Sequence, residues 1–263
     1  MAVKLIALDI DGTLLPFEGP HEGALSPRLR SAVAALAGRG IAVVLASGRM
    51  HPGTARIAQE LRLAGPLIAQ EGCVVASAAG EVVHEVRLEA SLARAVVTYA
   101  RDEGHEYEWF GTSRYAVTKE TPATRSYGEM CGVTPEYDAA PEALGIPPNG
   151  VGVLGDRKRS PAIHQALAEA HGDRLHLLDF PAVTVAISPT ASKGRALALV
   201  ADDLGVPRHE TLAIGDSVND ASMLAWAGRG LAMAKGDRYA HEAADEILPD
   251  EEDIVANVLE GLR

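Results

Sequence analysis

The sequence has few of the features that mark secreted, membrane-bound or nucleic-acid-binding proteins. Its only two cysteines, Cys73 and Cys131, lie far apart, which excludes a disulfide framework and a thiolate metal site. No apolar stretch approaches the roughly 20 residues that cross a bilayer, and the apolar first ten residues are too few for a signal peptide. The net charge of -12 disfavours nucleic acid and anionic membranes as partners. We therefore expect a cytoplasmic globular protein, monomeric or homodimeric, with no membrane or nucleic-acid partner.

The chain contains alternating strand-like and helix-like segments, which are typical of βαβ units with a parallel sheet. This alternation stops between about residues 84 and 184, where paired strand-like segments accompany helices and where most of the aromatic residues lie. A stretch with several prolines, which runs through "ATRSYGEM" and "PEYDAAPEALGIPP", is assigned neither a helix nor a strand. The pattern predicts an α/β fold: a Rossmann-like doubly wound parallel sheet core formed by residues 1–83 and 185–263, with an inserted α+β cap domain over residues 84–184.

Two carboxylates, Asp9 and Asp11, lie at the end of the first apolar strand. A carboxylate at a buried strand end has to be paired or bound to a metal, because desolvating an unpaired one costs several kcal/mol or shifts its pKa until it is neutral. The alternative is an Asp11-Gly12 hairpin turn in which Asp9 has no special role.

Further polar residues follow two other predicted strands. Ser47 and Gly48 come after "IAVVLA", and Asp216, Asn219 and Asp220 follow "ETLAIG". Ligands of open α/β sheets bind beyond the carboxyl ends of the strands, and acids, a hydroxyl and glycine amides suit a divalent cation and a phosphate. Each residue also has a structural alternative: Ser47 would cap the next helix, Gly48 would turn the chain, and Asp220 would complete a capping box with Ser217.

Lys193 stands in the first turn of a helix that Ser192 is expected to cap. A cation is disfavoured there by about 0.3 to 1 kcal/mol, because the helix dipole is positive at its N-terminus. Lys193 is therefore predicted to hold a phosphate oxygen, and the alternative is a lysine that faces solvent.

Four segments, "DIDGTLL", "ASGR", "SKG" and "GDSVNDASML", occur in this order with a long insert between the second and the third. In this the chain resembles the haloacid dehalogenase (HAD) superfamily of phosphotransferases, and more narrowly its Cof-type branch, which has a large α/β cap. The resemblance covers essentially the whole chain.

The resemblance implies a role for each motif. Asp9 would be the nucleophile that forms an aspartyl-phosphate, and Asp11 would act as general acid and then general base. Ser47 and Lys193 would be catalytic residues that hold the phosphoryl group. The implied cofactor is Mg²⁺, held by the Asp9 carboxylate, the Asp11 backbone carbonyl and Asp216, with Asp220 in a supporting shell. The implied substrate-binding residues are Ser47, Gly48, Lys193, Asn219 and Arg125.

The implied function is Mg²⁺-dependent hydrolysis of a small phosphorylated metabolite, of sugar phosphate or phosphoglycolate type. A phosphomutase that uses the same phosphoaspartate is an alternative. A phosphorylatable signalling module is a further one, although such modules are usually about half this length.

The sequence departs from the pattern of the branch at three places. Glu71-Gly72-Cys73 replaces the usual Asn-Gly-Ala, which we expect to alter contacts with the leaving group. The segment "PFEGPHEGALSP" lengthens the connection after the first motif, and Asp253-Ile254 replaces a usual Asp-Gly. In the predicted cap, the candidate polar contacts are Trp109, Lys119, Arg125 and Tyr127.

Overall fold

The computed structural model describes residues 2–262, which form two compact units. The first unit comprises residues 2–48, 54–83 and 192–262, and the second comprises residues 49–53 and 84–191. The predicted boundary at residue 184 therefore falls inside a strand of the second unit, Val183–Ile187. Among residues 2–262, no helix combines the length and apolar character that crossing a membrane requires.

The described strands and helices alternate along much of the chain. The strands are β1 (Leu5–Leu8), β2 (Ala42–Leu45), β3 (Leu67–Ala69), β4 (Val74–Ala76), β5 (Val82–Glu85), β6 (Tyr107–Phe110), β7 (Tyr115–Val117), β8 (Glu136–Tyr137), β9 (Gly150–Leu154), β10 (His176–Phe180), β11 (Val183–Ile187), β12 (Thr211–Gly215), β13 (Arg229–Ala232) and β14 (Glu246–Ile247). The helices are α1 (Pro27–Gly38), α2 (His51–Glu60), α3 (Ala90–Asp102), α4 (Pro122–Cys131), α5 (Ser160–His171), α6 (Lys193–Asp203), α7 (Ala221–Trp226), α8 (Arg238–Ala243) and α9 (Ile254–Gly261).

The first unit is built on a parallel five-stranded sheet in the order β14-β13-β12-β1-β2. The strand order reverses at β1, because the chain first adds β2 on one side and later adds β12 on the other. A single parallel bridge between Ala46 and Ile68 links this sheet to a smaller sheet, β3-β4-β5. The predicted parallel α/β core is confirmed.

Both faces of the parallel sheet are covered by helices. Along β1, Ile6 and Leu8 contribute to one apolar cluster and Leu5 and Ala7 to another, because successive side chains of a strand point to opposite faces. Residues of α1, α2 and α9 belong to the first cluster, and residues of α6, α7 and α8 to the second. The fold is therefore doubly wound, as the sequence predicts.

Helix α1 illustrates how local sequence starts these elements. The Ser26 hydroxyl accepts the backbone N–H of Leu29 at 3.1 Å, and Pro27 occupies the first helical position, where no N–H is needed. Leu29, Val33 and Leu36 then follow at helical spacing and are buried against the sheet. Burying each of these side chains contributes roughly 1.5 to 3 kcal/mol.

The second unit contains a six-stranded sheet in the order β10-β11-β9-β6-β7-β8, antiparallel except for the β7-β8 pair. Helices α3 and α5 cover one of its faces through an apolar cluster that includes Val96, Trp109 and Leu167. The predicted combination of helices with a largely antiparallel sheet is confirmed.

One helix of the second unit, α4, was not expected from the sequence. Thr121 and Thr124 form a reciprocal capping box, Pro122 takes the first turn, and Gly132 ends the helix in the left-handed conformation. No helix was assigned to this stretch of several prolines, but a proline in the first helical turn is compatible with a helix, since its missing N–H would have no helical partner there.

Candidate active site

Three neighbouring strands of the parallel sheet end at the same edge, and a polar residue follows each of them. Leu8 at the end of β1 pairs with Leu45 of β2 on one side and with Ile214 of β12 on the other. Asp9, Ser47 and Asp216 come within two residues of these strand ends. The structure therefore gathers them at the position where open α/β sheets bind ligands.

Carboxylates converge at this edge. Asp9, Asp216 and Asp220 each offer an oxygen, and these oxygens all lie within 4.8 Å of one another. Burial, and next the neighbouring Asp220, raise the pKa of Asp9 well above its ordinary range, although Lys193 opposes the shift. The same two causes raise the pKa of Asp216 to about 7. Such crowding is stable only where protons or a cation balance the negative charge.

Lys193 supplies a buried positive charge to this cluster. Its side chain is 0% exposed, and its Nζ donates to Asp9 Oδ1 at 2.7 Å and to Asp220 Oδ1 at 2.6 Å. Burial acts to lower the pKa of Lys193, but Asp220 and Asp9 outweigh burial and raise it. The alternative of a solvent-facing lysine is therefore wrong. Ser192 caps α6 as expected, through a 3.1 Å hydrogen bond from Arg195 N–H.

Asp220 organises the loop that follows β12. Its Oδ2 accepts the backbone N–H groups of Asp216 at 2.9 Å and Ser217 at 3.1 Å, while Oδ1 accepts from Lys193. Of the alternative capping box, only the half in which Asp220 accepts the Ser217 N–H is present. The Ser217 hydroxyl donates instead to Asn219 Oδ1 at 2.8 Å, and α7 begins only at Ala221. Asp220 thus joins the loop backbone to the buried lysine.

The loop after β1 passes very close to Asp216. Gly12 has a φ of +89°, and a Cβ at this position would lie 2.4 Å from Asp216 Oδ2, so that only glycine fits. The next residue, Thr13, donates its hydroxyl to Asp216 Oδ1 at 3.2 Å, a contact that sequence reasoning missed. Asp11 is partly buried beside this turn and forms an isolated bridge with Leu15 rather than a hairpin between two strands.

Ser47 is held by its backbone at the end of β2. Its N–H donates to Ile68 O at 2.9 Å, and its carbonyl accepts from Glu71 N–H at 3.3 Å. The side chain is 0% exposed. Because α2 begins at His51, four residues later, Ser47 does not cap that helix. Phosphate contact stays a prediction for the Ser47 hydroxyl.

Glu71 is part of the same edge, although it was not among the predicted site residues. Its Oε2 accepts from Asn219 Nδ2 at 2.7 Å, and its Oε1 lies 2.2 Å from where a Cβ on Gly48 would be. Burial raises the pKa of Glu71, against the opposing effects of Lys193 and of the Asn219 hydrogen bond. The departure from Asn-Gly-Ala was the sequence signal that pointed to this position.

The lengthened connection after β1 lines a cavity of about 480 Å³ in the first unit. Phe17, His21 and Leu29 contribute to its wall, and Gly12 and Asp216 also line it. The third departure, Asp253, precedes α9 in the left-handed conformation and accepts a hydrogen bond from the Ser26 hydroxyl. The lengthened segment therefore lies near the turn after β1, and Asp253 lies where α1 and α9 begin. Neither departure removes a predicted site residue.

The candidate substrate contacts of the second unit are dispersed within it. Arg125 is exposed on α4 and pairs with Glu120 at 2.7 Å, and Lys119 lies 3.8 Å from Glu106. Trp109 is instead a core residue: it is 3% exposed, and its Nε1 donates to Ile146 O at 2.9 Å. The ring of Tyr127 packs edge-on against the rings of Phe110 and Tyr115.

Comparisons with known proteins agree with this architecture. The chain is 34% identical to a phosphoglycolate phosphatase of Halorubrum lacusprofundi over 262 residues, which cover 99% of this chain and 98% of that protein. It is 29% identical to phosphatase YwpJ of Bacillus subtilis, over 99% of this chain and 100% of that protein. These relatives support phosphoric monoester hydrolysis as the class of reaction.

Solved structures show the same fold. A haloacid dehalogenase-like hydrolase from B. subtilis superposes with a TM-score of 0.85 at 26% identity, covering 99% of this chain and 100% of that one. A second haloacid dehalogenase-like hydrolase, from Bacteroides thetaiotaomicron, has a TM-score of 0.83 at 24% identity over 98% of both chains. A family model described as haloacid dehalogenase-like hydrolase matches residues 6–259, so the chain belongs to this family of hydrolases, as its four motifs indicated.

Proposed function

We propose that the protein is a Mg²⁺-dependent phosphatase that hydrolyses a small phosphomonoester, of sugar phosphate or phosphoglycolate type, through an aspartyl-phosphate on Asp9. The observation that carries this proposal is the convergence of Asp9, Asp216 and Asp220 within 4.8 Å, with Lys193 hydrogen-bonded to the first and the last. The comparisons support the reaction class, and the metal and the intermediate are inferred from the chemistry of these residues.

The donor set suits a hard divalent cation. Carboxylate oxygens are the ligands that Mg²⁺ prefers, and Mg²⁺ usually takes one or two of them together with water and phosphate oxygens. Asp9 and Asp216 contact each other closely enough to share a hydrogen bond, and burial raises the pKa of both. The Asp9 carboxylate, the Asp11 backbone carbonyl and Asp216 would hold the ion, with Asp220 in a supporting shell. The ion would supply positive charge to offset the negative charge of the transferring phosphoryl group.

In the first step, a carboxylate oxygen of Asp9 attacks phosphorus, and the bond between phosphorus and the ester oxygen breaks. Asp11 donates a proton to the departing oxygen. Asp11 then accepts a proton from a water molecule that attacks the aspartyl-phosphate, so that phosphate leaves and Asp9 is regenerated. Ser47, the Gly48 backbone, Lys193 and Asn219 would orient the phosphoryl oxygens, since phosphoryl transfer depends mainly on positioning and charge stabilisation.

The second unit is proposed to act as the cap that selects the leaving group, with Arg125 as a candidate contact. Its exposed, charged α4 contrasts with the buried first-unit residues that would perform the chemistry. A cap would exclude water and orient the leaving group during transfer.

The test is turnover of p-nitrophenyl phosphate with and without Mg²⁺, followed by Asp9→Asn. We expect activity that a chelator abolishes and that Asp9→Asn reduces by at least about 1,000-fold, since Asp9 would form the covalent intermediate. Asp202→Asn, on an exposed position of α6, is the matched control and should retain activity. Metal-independent turnover, or an active Asp9→Asn enzyme, would contradict the proposal, and isomerised sugar in place of free phosphate would indicate a mutase.

A further inference from the structure

A glutamate carboxylate borders the place where the phosphoryl group would bind. One oxygen of Glu71 is hydrogen-bonded to Asn219 Nδ2 at 2.7 Å, and the other lies against the backbone of Gly48. Asn219 and Gly48 are both candidate contacts of the substrate phosphate, and Lys193 is close enough to act on the charge of Glu71. The Glu71 carboxylate therefore adjoins two of the residues that would bind the substrate phosphate.

The backbone holds this carboxylate in place. Gln70, Glu71 and Gly72 have φ values of +48°, +59° and +87°, three successive residues in the left-handed region. For the two non-glycine residues this conformation costs about 1 to 2 kcal/mol each, so surrounding contacts must maintain it. A Cβ on Gly72 would lie 2.2 Å from Ser192 O, which means that the turn is packed directly against the start of α6. The direction of the Glu71 side chain is thus set by a tightly packed turn.

We propose that Glu71 is a specificity-determining residue that favours leaving groups with a hydroxyl or ammonium group near the ester oxygen and discriminates against leaving groups with a carboxylate there. This inference rests on the proposed phosphatase function and narrows its substrate class. A carboxylate accepts hydrogen bonds from hydroxyl and ammonium donors, whereas two carboxylates at this range repel each other. Placing a repulsive charge against one class of ligand is a general route to specificity.

The experiment compares three esters of nearly equal size: phosphoglycolate, 2-hydroxyethyl phosphate and phosphoethanolamine, whose leaving groups carry a carboxylate, a hydroxyl and an ammonium. We expect the wild-type kcat/KM to be lowest for phosphoglycolate. Glu71→Gln removes the charge but keeps the length and hydrogen-bonding capacity of the side chain. It should raise the ratio of kcat/KM for phosphoglycolate over that for 2-hydroxyethyl phosphate by at least about tenfold, which is 1.4 kcal/mol.

Two further variants control the comparison. Glu81→Gln removes one carboxylate from an exposed turn of the same unit and should leave the ratio within about twofold of wild type. Glu71→Asn places a residue that tolerates the left-handed conformation at the same position, and should shift the ratio in the same direction as Glu71→Gln even if the latter folds poorly.

The outcomes separate this inference from the function on which it rests. If wild type and Glu81→Gln hydrolyse none of the esters in a Mg²⁺-dependent manner, and p-nitrophenyl phosphate is also inert, the phosphatase function itself is overturned, and the role of Glu71 with it. If the esters are hydrolysed but neither Glu71 variant changes the ratio, only the role of Glu71 is overturned. A wild-type enzyme that prefers phosphoglycolate also refutes it.

Discussion

Removing the buried ammonium of Lys193 should be costly for the stability of the first unit, even before any effect on activity. In Lys193→Met the side-chain volume is nearly kept, but Asp9 and Asp220 lose a donor at 2.7 and 2.6 Å respectively. Breaking a buried ion pair by deleting one partner costs about 3 to 5 kcal/mol, because a desolvated charge is left without compensation. We expect a loss of this size at pH 8 in the presence of a chelator.

An exposed ion pair of almost the same length provides the control. Arg229 Nη2 lies 2.7 Å from Glu246 Oε2, but these two side chains are 51% and 52% exposed, against 0% for Lys193. Arg229→Met should therefore cost no more than about 1 kcal/mol, since water replaces the lost partner and an exposed pair contributes little. The difference between the two variants isolates the effect of burial.

The assay is urea unfolding monitored by tryptophan fluorescence. The two tryptophans, Trp109 and Trp226, belong to different units, so in a Trp109→Phe background Trp226 reports the first unit. The cost of Lys193→Met should shrink as the pH is lowered, because the raised pKa of Asp9 allows this carboxyl to become neutral. A cost below about 1 kcal/mol at pH 8, equal to that of Arg229→Met, would refute the argument that burial makes this ion pair essential.

Three further changes test other parts of the structure. Burial raises the pKa of Glu108 from an ordinary 4.5 to about 7. The contribution of Glu108 to the free energy of unfolding should therefore be fully present below about pH 4.5 and be lost as the pH rises through 7. Glu108→Gln should remove about 3 kcal/mol of this pH dependence, measured as urea stability from Trp109 fluorescence. Gly12→Ala should reduce kcat more than about tenfold, because its Cβ would overlap Asp216, and an unchanged kcat would contradict the close approach. Arg125→Ala should raise KM severalfold at constant kcat if Arg125 contacts the leaving group, whereas the loss of its exposed pair with Glu120 alone would leave KM unchanged.

Much of the first unit was predictable because its signals are local. The apolar run before Asp9 indicates a buried strand, and Ser26-Pro27 and Ser192 mark the starts of α1 and α6 by the side chains that cap them. Helix α4 carries equally local signals, Thr121-Pro122 and Gly132, but no helix was assigned to this stretch, which has several prolines. The boundary of the second unit was harder to predict, because residues 185–191 complete β11 and its following turn through pairing with distant strands.

The sequence by itself determined the order of the elements, the parallel sheet and the family, because hydrophobic periodicity, helix caps and the four motifs are patterns of residues that lie close together in the chain. Only the tertiary structure decided which charged groups meet. Lys193 is buried between Asp9 and Asp220. Thr13 contacts Asp216, and Glu71 lies against Gly48. Each of these contacts joins residues that are separated by many positions in the chain. Such contacts follow from how strands from distant segments pair and how their loops pack, and no local pattern encodes a distance between them.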